Sequence, residues 1–72
     1  MDRFKLKAGE DFIRLGQVLK AAGICESGAE AKEIIQEGQV LVNGETETRR
    51  GRKLYSGDIA SCGGKEIEIT KS

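Results

Sequence analysis

The sequence predicts an α+β fold in which two packed helices are followed by a small antiparallel sheet of four to five short strands. Two segments have apolar residues at helical steps of three and four, and the later segments alternate apolar and polar residues between glycine-containing turns. The chain has 72 residues, which suits one small domain. We expect residues 12–72 to form that domain and residues 1–11 to form an N-terminal arm or an edge strand.

The first predicted helix begins near residue 12 and ends before Gly23. Its apolar stripe consists of Phe12, Leu15, Val18, Leu19 and Ala22. Glycine at position 23 indicates the end of this helix because glycine adopts the positive φ of a C′ residue at little cost.

The second predicted helix begins at Ser27 and ends near residue 37, before Gly38. Ser27 is followed three residues later by Glu30, which is the pattern of a capping box. Ala31, Ile34 and Ile35 form its apolar stripe. Both helices therefore present one apolar face to a common core.

Short strands follow the second helix. The Asn43-Gly44 pair predicts a type I′ hairpin, because both central residues of that turn need positive φ. The predicted strands are residues 40–42, 45–48, 59–61 and 67–69, with further turns at 56–58 and 63–64.

Charge is segregated along a chain whose formal net charge is zero. Four cations, Arg49, Arg50, Arg52 and Lys53, lie within five residues, and no acid follows before Asp58. Such segregation favours a polyanionic partner on one face, and the fork of N–H donors on arginine matches a phosphate. The competing interpretation is a solvated loop without a ligand.

The composition argues against an enzyme and against bound metals or cofactors. Histidine is absent, and Cys25 and Cys62 alone are too few ligands for structural zinc. We expect two reduced thiols, with a single disulfide as the alternative. The apolar runs are too short for a membrane span, and no signal peptide is visible, so we expect a cytoplasmic protein.

The stretch from residue 14 to 61 resembles the RNA-binding domain named after ribosomal small-subunit protein four, also called the αL motif. The resemblance covers about two thirds of the chain. The matching pieces are Arg14-Leu15, Ser27, Ala31-Lys32, the run from Gly38 to Gly44, and Gly57-Asp58-Ile59. The short, free-standing bacterial members of the YaaA/YbcJ type are especially similar, because they share the opening before the first helix and the Arg-rich segment.

The resemblance implies RNA binding, and it implies a set of contact residues. From the wider domain these are Arg14, Ser27, Lys32, Asn43 and Gly44. The short members and the charge pattern add Arg49, Arg50, Arg52 and Lys53, with Lys20 as a secondary candidate. Two positions depart from the wider pattern: Gly16 replaces Asp, and Gly28 replaces Arg. The missing arginine removes one phosphate contact, for which we expect the cluster at 49–53 to compensate.

We therefore expect a non-enzymatic, monomeric protein that recognises structured ribosomal RNA by backbone and shape contacts, in ribosome assembly or maturation. One alternative is a protein-interaction module of a ribosome-associated or replication-associated complex, which would bind a partner such as a ribosomal or assembly protein through Glu30, Glu33 and Glu37. A third interpretation is DNA binding, since the helix pair resembles a helix-turn-helix.

Overall fold

The computed structural model of the protein describes residues 1–71. It has two helices and seven strands, which confirms the predicted α+β class. In chain order the elements are β1 (Asp2–Leu6), β2 (Ile13–Arg14), α1 (Leu15–Ala21), α2 (Gly28–Gln36), β3 (Val40–Val42), β4 (Glu45–Thr46), β5 (Lys53–Leu54), β6 (Ile59–Cys62) and β7 (Lys65–Lys71).

The strands form two sheets. Five strands pair in the order β1-β7-β6-β3-β4, and β2 pairs with β5 in a separate two-stranded ribbon. The strands of this sheet that follow the helices pair antiparallel as predicted, and the sheet as a whole is mixed because the N-terminal strand β1 runs parallel to β7. Parallel neighbours need a long connection, and here both helices and five strands lie between them. β1 is an edge strand that is anchored by Leu6, a residue only 1% exposed.

Helix α1 begins at Leu15 rather than at the predicted residue 12. Ile13 and Arg14 are extended instead, and they pair with Leu54 and Lys53 of β5. The first amides of α1 are bound by loop carbonyls, since Leu15 N donates to Arg52 O at 2.9 Å and Gly16 N donates to Arg50 O at 3.1 Å. A long-range pairing has therefore replaced the first predicted helical turn.

The other helix boundaries agree with the sequence. Gly23 has φ of +76° after α1, and Gly38 has φ of +78° after α2. At the start of α2, Ser27 Oγ accepts a hydrogen bond from Glu30 N at 3.2 Å. Both ends of α2 are thus set by local chemistry that the sequence displays.

One apolar core joins both helices to the five-stranded sheet. Its fully buried members from the helices are Leu15, Val18, Leu19, Ala31 and Ile35, and from the sheet Val40, Ala60 and Ile69. Cys25 is also buried, and it is a free thiol. Burial raises the pKa of Cys25, and the charge of Glu30 raises it further, so its thiolate is disfavoured. This cysteine is a packing residue.

The Asn43-Gly44 hairpin has the conformation that the sequence predicts. The φ angles are 52° and 84°, so both central residues are in the left-handed region. Asn43 also connects the hairpin to the start of β6, because its Nδ2 donates to Asp58 Oδ1 at 3.0 Å and its Oδ1 accepts from Ile59 N at 2.9 Å. β4 ends at Thr46, two residues earlier than expected, because the chain turns inward at Glu47.

Glu47 is the only buried charged residue among residues 1–71, with 6% of its surface exposed. Its carboxylate accepts from the backbone N–H groups of Thr48 and Arg49, each at 3.0 Å. It also accepts from Arg49 Nε at 3.0 Å, Arg49 Nη2 at 3.2 Å and Arg52 Nη1 at 2.7 Å. The hydrogen bonds from Arg49 and Arg52 lower the pKa of Glu47 to about 2.

This carboxylate should make stability depend on pH. The pKa of Glu47 in the folded chain lies below its ordinary value of 4.5, so the stabilisation is complete above about pH 5 and is lost as pH falls towards 2. We expect Glu47→Gln to lower the free energy of unfolding by about 1–3 kcal/mol at pH 7, because the two arginines lose a charged acceptor and the amide has only one acceptor oxygen. Urea denaturation should show the difference from wild type shrinking between pH 5 and pH 2.

The control for this prediction is Glu45→Gln, which changes an exposed carboxylate on β4. It should leave the free energy of unfolding within about 0.5 kcal/mol of wild type. An equal effect of both substitutions, or a pH-independent effect of Glu47→Gln, would contradict the role assigned to the buried carboxylate.

Candidate nucleic-acid interface

The basic segment is a fixed loop against the start of α1. Arg50 O and Arg52 O accept the first two amides of the helix, and Gly51 O accepts from Arg14 Nη1 at 2.9 Å. Glu47 holds the same loop from inside. The loop is held on one side by its backbone carbonyls, which accept hydrogen bonds from α1 and Arg14. On the other side it is held by its hydrogen bonds to Glu47. The cations therefore project from a fixed backbone.

Arg50 lies across two glycines. A Cβ atom at Gly16 would be 2.7 Å from Arg50 Cγ, a distance that real contacts do not reach, so a side chain at 16 would displace this arginine. The guanidinium Nη1 donates to Gly28 O at 3.4 Å and would be 3.9 Å from a Cβ at position 28. Arg50 thus brings a cation beside the position at which the wider domain has arginine.

A cleft of about 340 Å³ opens where this arginine crosses α1. Its lining residues are Arg14, Gly16, Gln17, Lys20, Gly28, Arg50 and Gly51, and none of these described residues is acidic. Its three cations form no salt bridge with any acid of residues 1–71. A low-acid cleft with three cations is suited to an anion such as a backbone phosphate.

The remaining cations of the segment lie on the other side of Gly51. Arg49, Arg52 and Lys53 line a second depression together with Gly51. Arg49 and Arg52 share the carboxylate of Glu47, yet 73% of the Arg49 side chain stays exposed. Residues 47–53 hold four cations against one carboxylate, a net formal charge of +3.

Two cations face each other directly on the β2–β5 ribbon. Arg14 and Lys53 are paired in its register. Like charges at opposed positions destabilise a sheet. Arg14 Cζ lies 5.6 Å, and Lys53 Nζ 4.8 Å, from the ring centroid of Phe12, which offsets part of this repulsion. An anionic ligand would offset the rest.

The structure brings together some of the residues predicted for RNA binding and separates others. Arg14, Arg50 and the secondary candidate Lys20 share the first cleft. Ser27, Lys32, Asn43 and Gly44 line neither depression. Ser27 caps α2, and both polar atoms of the Asn43 carboxamide form hydrogen bonds within the protein. Lys32 is exposed on α2 and forms no ion pair with the described residues.

Three contributors to this surface were not predicted. Gln17 and Gly51 line the cleft, and Gln17 Oε1 accepts from Arg14 N at 3.3 Å. Phe12, assigned to the core stripe of α1, is only half-buried and lies beneath two cations. The position of Gln17 in the first helical turn was the available signal for it, whereas the location of Phe12 depends on the β2–β5 pairing.

Other kinds of site find no support in the part of the chain that the structure describes. Residues 1–71 contain no group of three or more His, Cys, Asp or Glu side chains that could hold a metal ion. None of the helices in that range has the length and apolar character needed to cross a membrane.

Comparison with known proteins identifies the family. The S4 domain matches residues 4–70. A protein of Bacillus subtilis (strain 168) with the name "Probable ribosome maturation protein RlbA" is 50% identical over 54 residues, which are 75% of this chain and 76% of the relative. YbcJ of Escherichia coli (strain K12) is 42% identical over 57 residues, or 79% of this chain and 81% of YbcJ.

The fold has a close counterpart among solved structures. The solution structure of YbcJ from E. coli, described as revealing an αL motif involved in RNA binding, superposes with a TM-score of 0.72 at 38% sequence identity. The match covers 97% of this chain and 87% of YbcJ. The resemblance seen in the sequence is thereby confirmed, and the chain belongs to the S4 domain family, with the αL-motif fold.

Proposed function

We propose that this protein binds structured RNA without catalysing a reaction, that the RNA is ribosomal, and that binding serves ribosome maturation. The observation that carries the proposal is the cleft in which Arg14, Lys20 and Arg50 converge from separate parts of the chain without a lining acid. Two similar proteins support the proposal. The name of RlbA refers to ribosome maturation, and the description of the YbcJ structure refers to RNA binding. We further propose that the protein acts in the cytoplasm as a monomer.

The contacts suit the backbone of a folded RNA. Side chains cannot read the deep, narrow major groove of an A-form helix, so recognition falls to phosphates, 2′-hydroxyls and overall shape. Arg14, Lys20 and Arg50 would hold phosphates in the cleft, while Arg49 and Lys53 would meet the next phosphates beyond Gly51. Arg52 contributes less, because its shortest contact is 2.7 Å to Glu47.

Lys32 has a place in this surface only as an outlying contact. It is exposed, and it could meet a phosphate of an RNA that extends from the cleft along α2. Ser27, Asn43 and Gly44 act through the fold, since they set the start of α2 and the hairpin conformation.

The phosphate contacts should make RNA affinity depend on salt concentration. If four to six phosphates are bound, the log–log slope of affinity against salt should be roughly −3 to −5. Arg50→Gln should reduce the magnitude of that slope by about 1, because one phosphate contact is lost. Filter binding of ribosomal RNA fragments at several salt concentrations measures both quantities.

The matched control is Arg3→Gln on β1, which removes an equal charge outside both depressions. It should leave the slope unchanged. A salt-independent affinity of the wild type would refute phosphate binding, and equal effects of the two substitutions would refute the cleft. Reversing the charge of Arg49 and Arg52 is a poor test, since it would set new acids against buried Glu47 and unfold the loop.

The side chain of Arg50 occupies the space that a Cβ at Gly16 would fill, so a substitution there can move this cation. We expect Gly16→Ala to weaken RNA binding several-fold by displacing Arg50, although it removes no charge. Alanine favours a helix over glycine by up to about 1 kcal/mol, so thermal unfolding should show no loss of stability.

The control for this prediction is a double-mutant cycle. In an Arg50→Ala background, Gly16→Ala should cost no further affinity, because the displaced side chain is absent. If Gly16→Ala reduces affinity equally in both backgrounds, Gly16 acts independently of Arg50 and the contact between them has no role in binding.

The alternative of a protein-interaction module depends on the acidic side of α2, where Glu30, Glu33 and Glu37 are exposed. Glu30→Lys combined with Glu33→Lys separates the two functions. RNA affinity should stay equal or increase, since repulsion of phosphate is removed. A loss of RNA binding with intact folding would place the acidic side in the binding surface, and competition by duplex DNA would test the DNA-binding interpretation.

A further inference from the structure

Two of the three aromatic residues lie together on the outer side of the β2–β5 ribbon. Phe12 and Tyr55 flank the paired strands, and their ring centroids are 5.9 Å apart with an interplanar angle of 52°. Tyr55 is 48% exposed, and it is one of two exposed large hydrophobic residues among those described, the other being Met1 at the N-terminus. No sequence pattern predicts that these two rings contact each other.

Cations flank this aromatic pair. Lys53 and Arg14 both lie within 6 Å of the Phe12 ring centroid. No cation of residues 1–71 has an equivalent contact with Tyr55. The nearby acids are already engaged, because Asp11 pairs with Lys71 at 3.2 Å and Asp58 binds Asn43 and the backbone of Tyr55. The ribbon therefore combines an exposed ring with two cations that form no salt bridge with an acid of residues 1–71.

The backbone of Tyr55 is fixed by a turn. Tyr55 N donates to Asp58 Oδ2 at 2.7 Å, and Asp58 N donates back to Tyr55 O at 2.9 Å. The ring also contacts Phe12, which limits its orientation. A ligand that stacks on Tyr55 would thus lose little free energy in ordering the protein.

We propose that Tyr55 is a stacking site for one unpaired RNA base, and that Lys53 and Arg14 hold the phosphates beside it. The site rests on the proposed RNA-binding function and deepens it. Arg14 also lines the cleft with Arg50, so the two surfaces are continuous. A base offers the π-face that an exposed tyrosine binds, and its adjoining phosphates offer the negative charge that two opposed cations need.

This placement specifies the class of RNA. A fully paired helix would engage the cleft cations only, because its bases are stacked inside the duplex. An RNA with a bulged nucleotide next to the helix would engage both surfaces. Stacking on one aromatic side chain should raise affinity for the bulged RNA about 5- to 150-fold.

The test uses two RNA hairpins with the same stem, one fully paired and one with a three-adenosine bulge. Tyr55 is the only tyrosine and tryptophan is absent, so intrinsic fluorescence reports on this residue alone. We expect the bulged hairpin to bind more tightly to the wild type and to quench Tyr55 fluorescence. Tyr55→Leu, which keeps an apolar contact with Phe12, should lose the preference for the bulge, while Tyr55→Phe should retain it.

The outcomes distinguish this inference from the proposed function. If both hairpins bind the wild type equally, or if Tyr55→Leu keeps the preference, the stacking site is overturned and phosphate binding stands. If neither hairpin binds, the proposed function fails and the stacking site fails with it. Circular dichroism of Tyr55→Leu, together with its unchanged affinity for the paired hairpin, verifies that the variant is folded.

Discussion

The buried carboxylate of Glu47 is the interaction on which the proposed RNA-binding surface depends. A charged group with 6% exposure is costly unless its oxygens are satisfied, and here two backbone amides and two arginines satisfy them. The requirement fixes the course of the chain directly after β4. Because the loop carbonyls are bonded to the start of α1, the same segment also determines where that helix begins.

This constraint divides a sequence cluster of four cations into side chains with different tasks. Arg49 and Arg52 form ion pairs with the buried carboxylate of Glu47, so their charges are only partly available to a ligand. Arg50 and Lys53 leave the loop on opposite sides of Gly51, towards the cleft and towards the aromatic ribbon. The basic segment therefore contributes cations to two surfaces, the cleft and the aromatic ribbon, and does not form one uniform patch.

The two glycines that depart from the wider family pattern both lie against Arg50. Gly16 leaves the space that the stem of Arg50 occupies, whereas a Cβ at Gly28 would be 3.9 Å from its Nη1, an ordinary contact distance. An arginine from the loop thus reaches the place where the wider domain carries one on the helix. We therefore propose that Arg50 is the residue of the basic segment that compensates for the arginine missing at position 28. Measurements of RNA binding test this proposal.

The sequence by itself determined the class of fold, the boundaries of α2, the end of α1 and the Asn43-Gly44 hairpin, because caps, glycine stops and type I′ turns depend on neighbouring residues. It also located the basic segment. Only the tertiary structure decided that Ile13 and Arg14 form a strand, that β1 runs parallel to β7, and that Glu47 neutralises part of the cluster. The two strand pairings join residues that are far apart in the chain, and the ion pairs of Glu47 depend on its burial. Local patterns of charge and hydrophobicity encode neither long-range pairing nor the burial of a single acid.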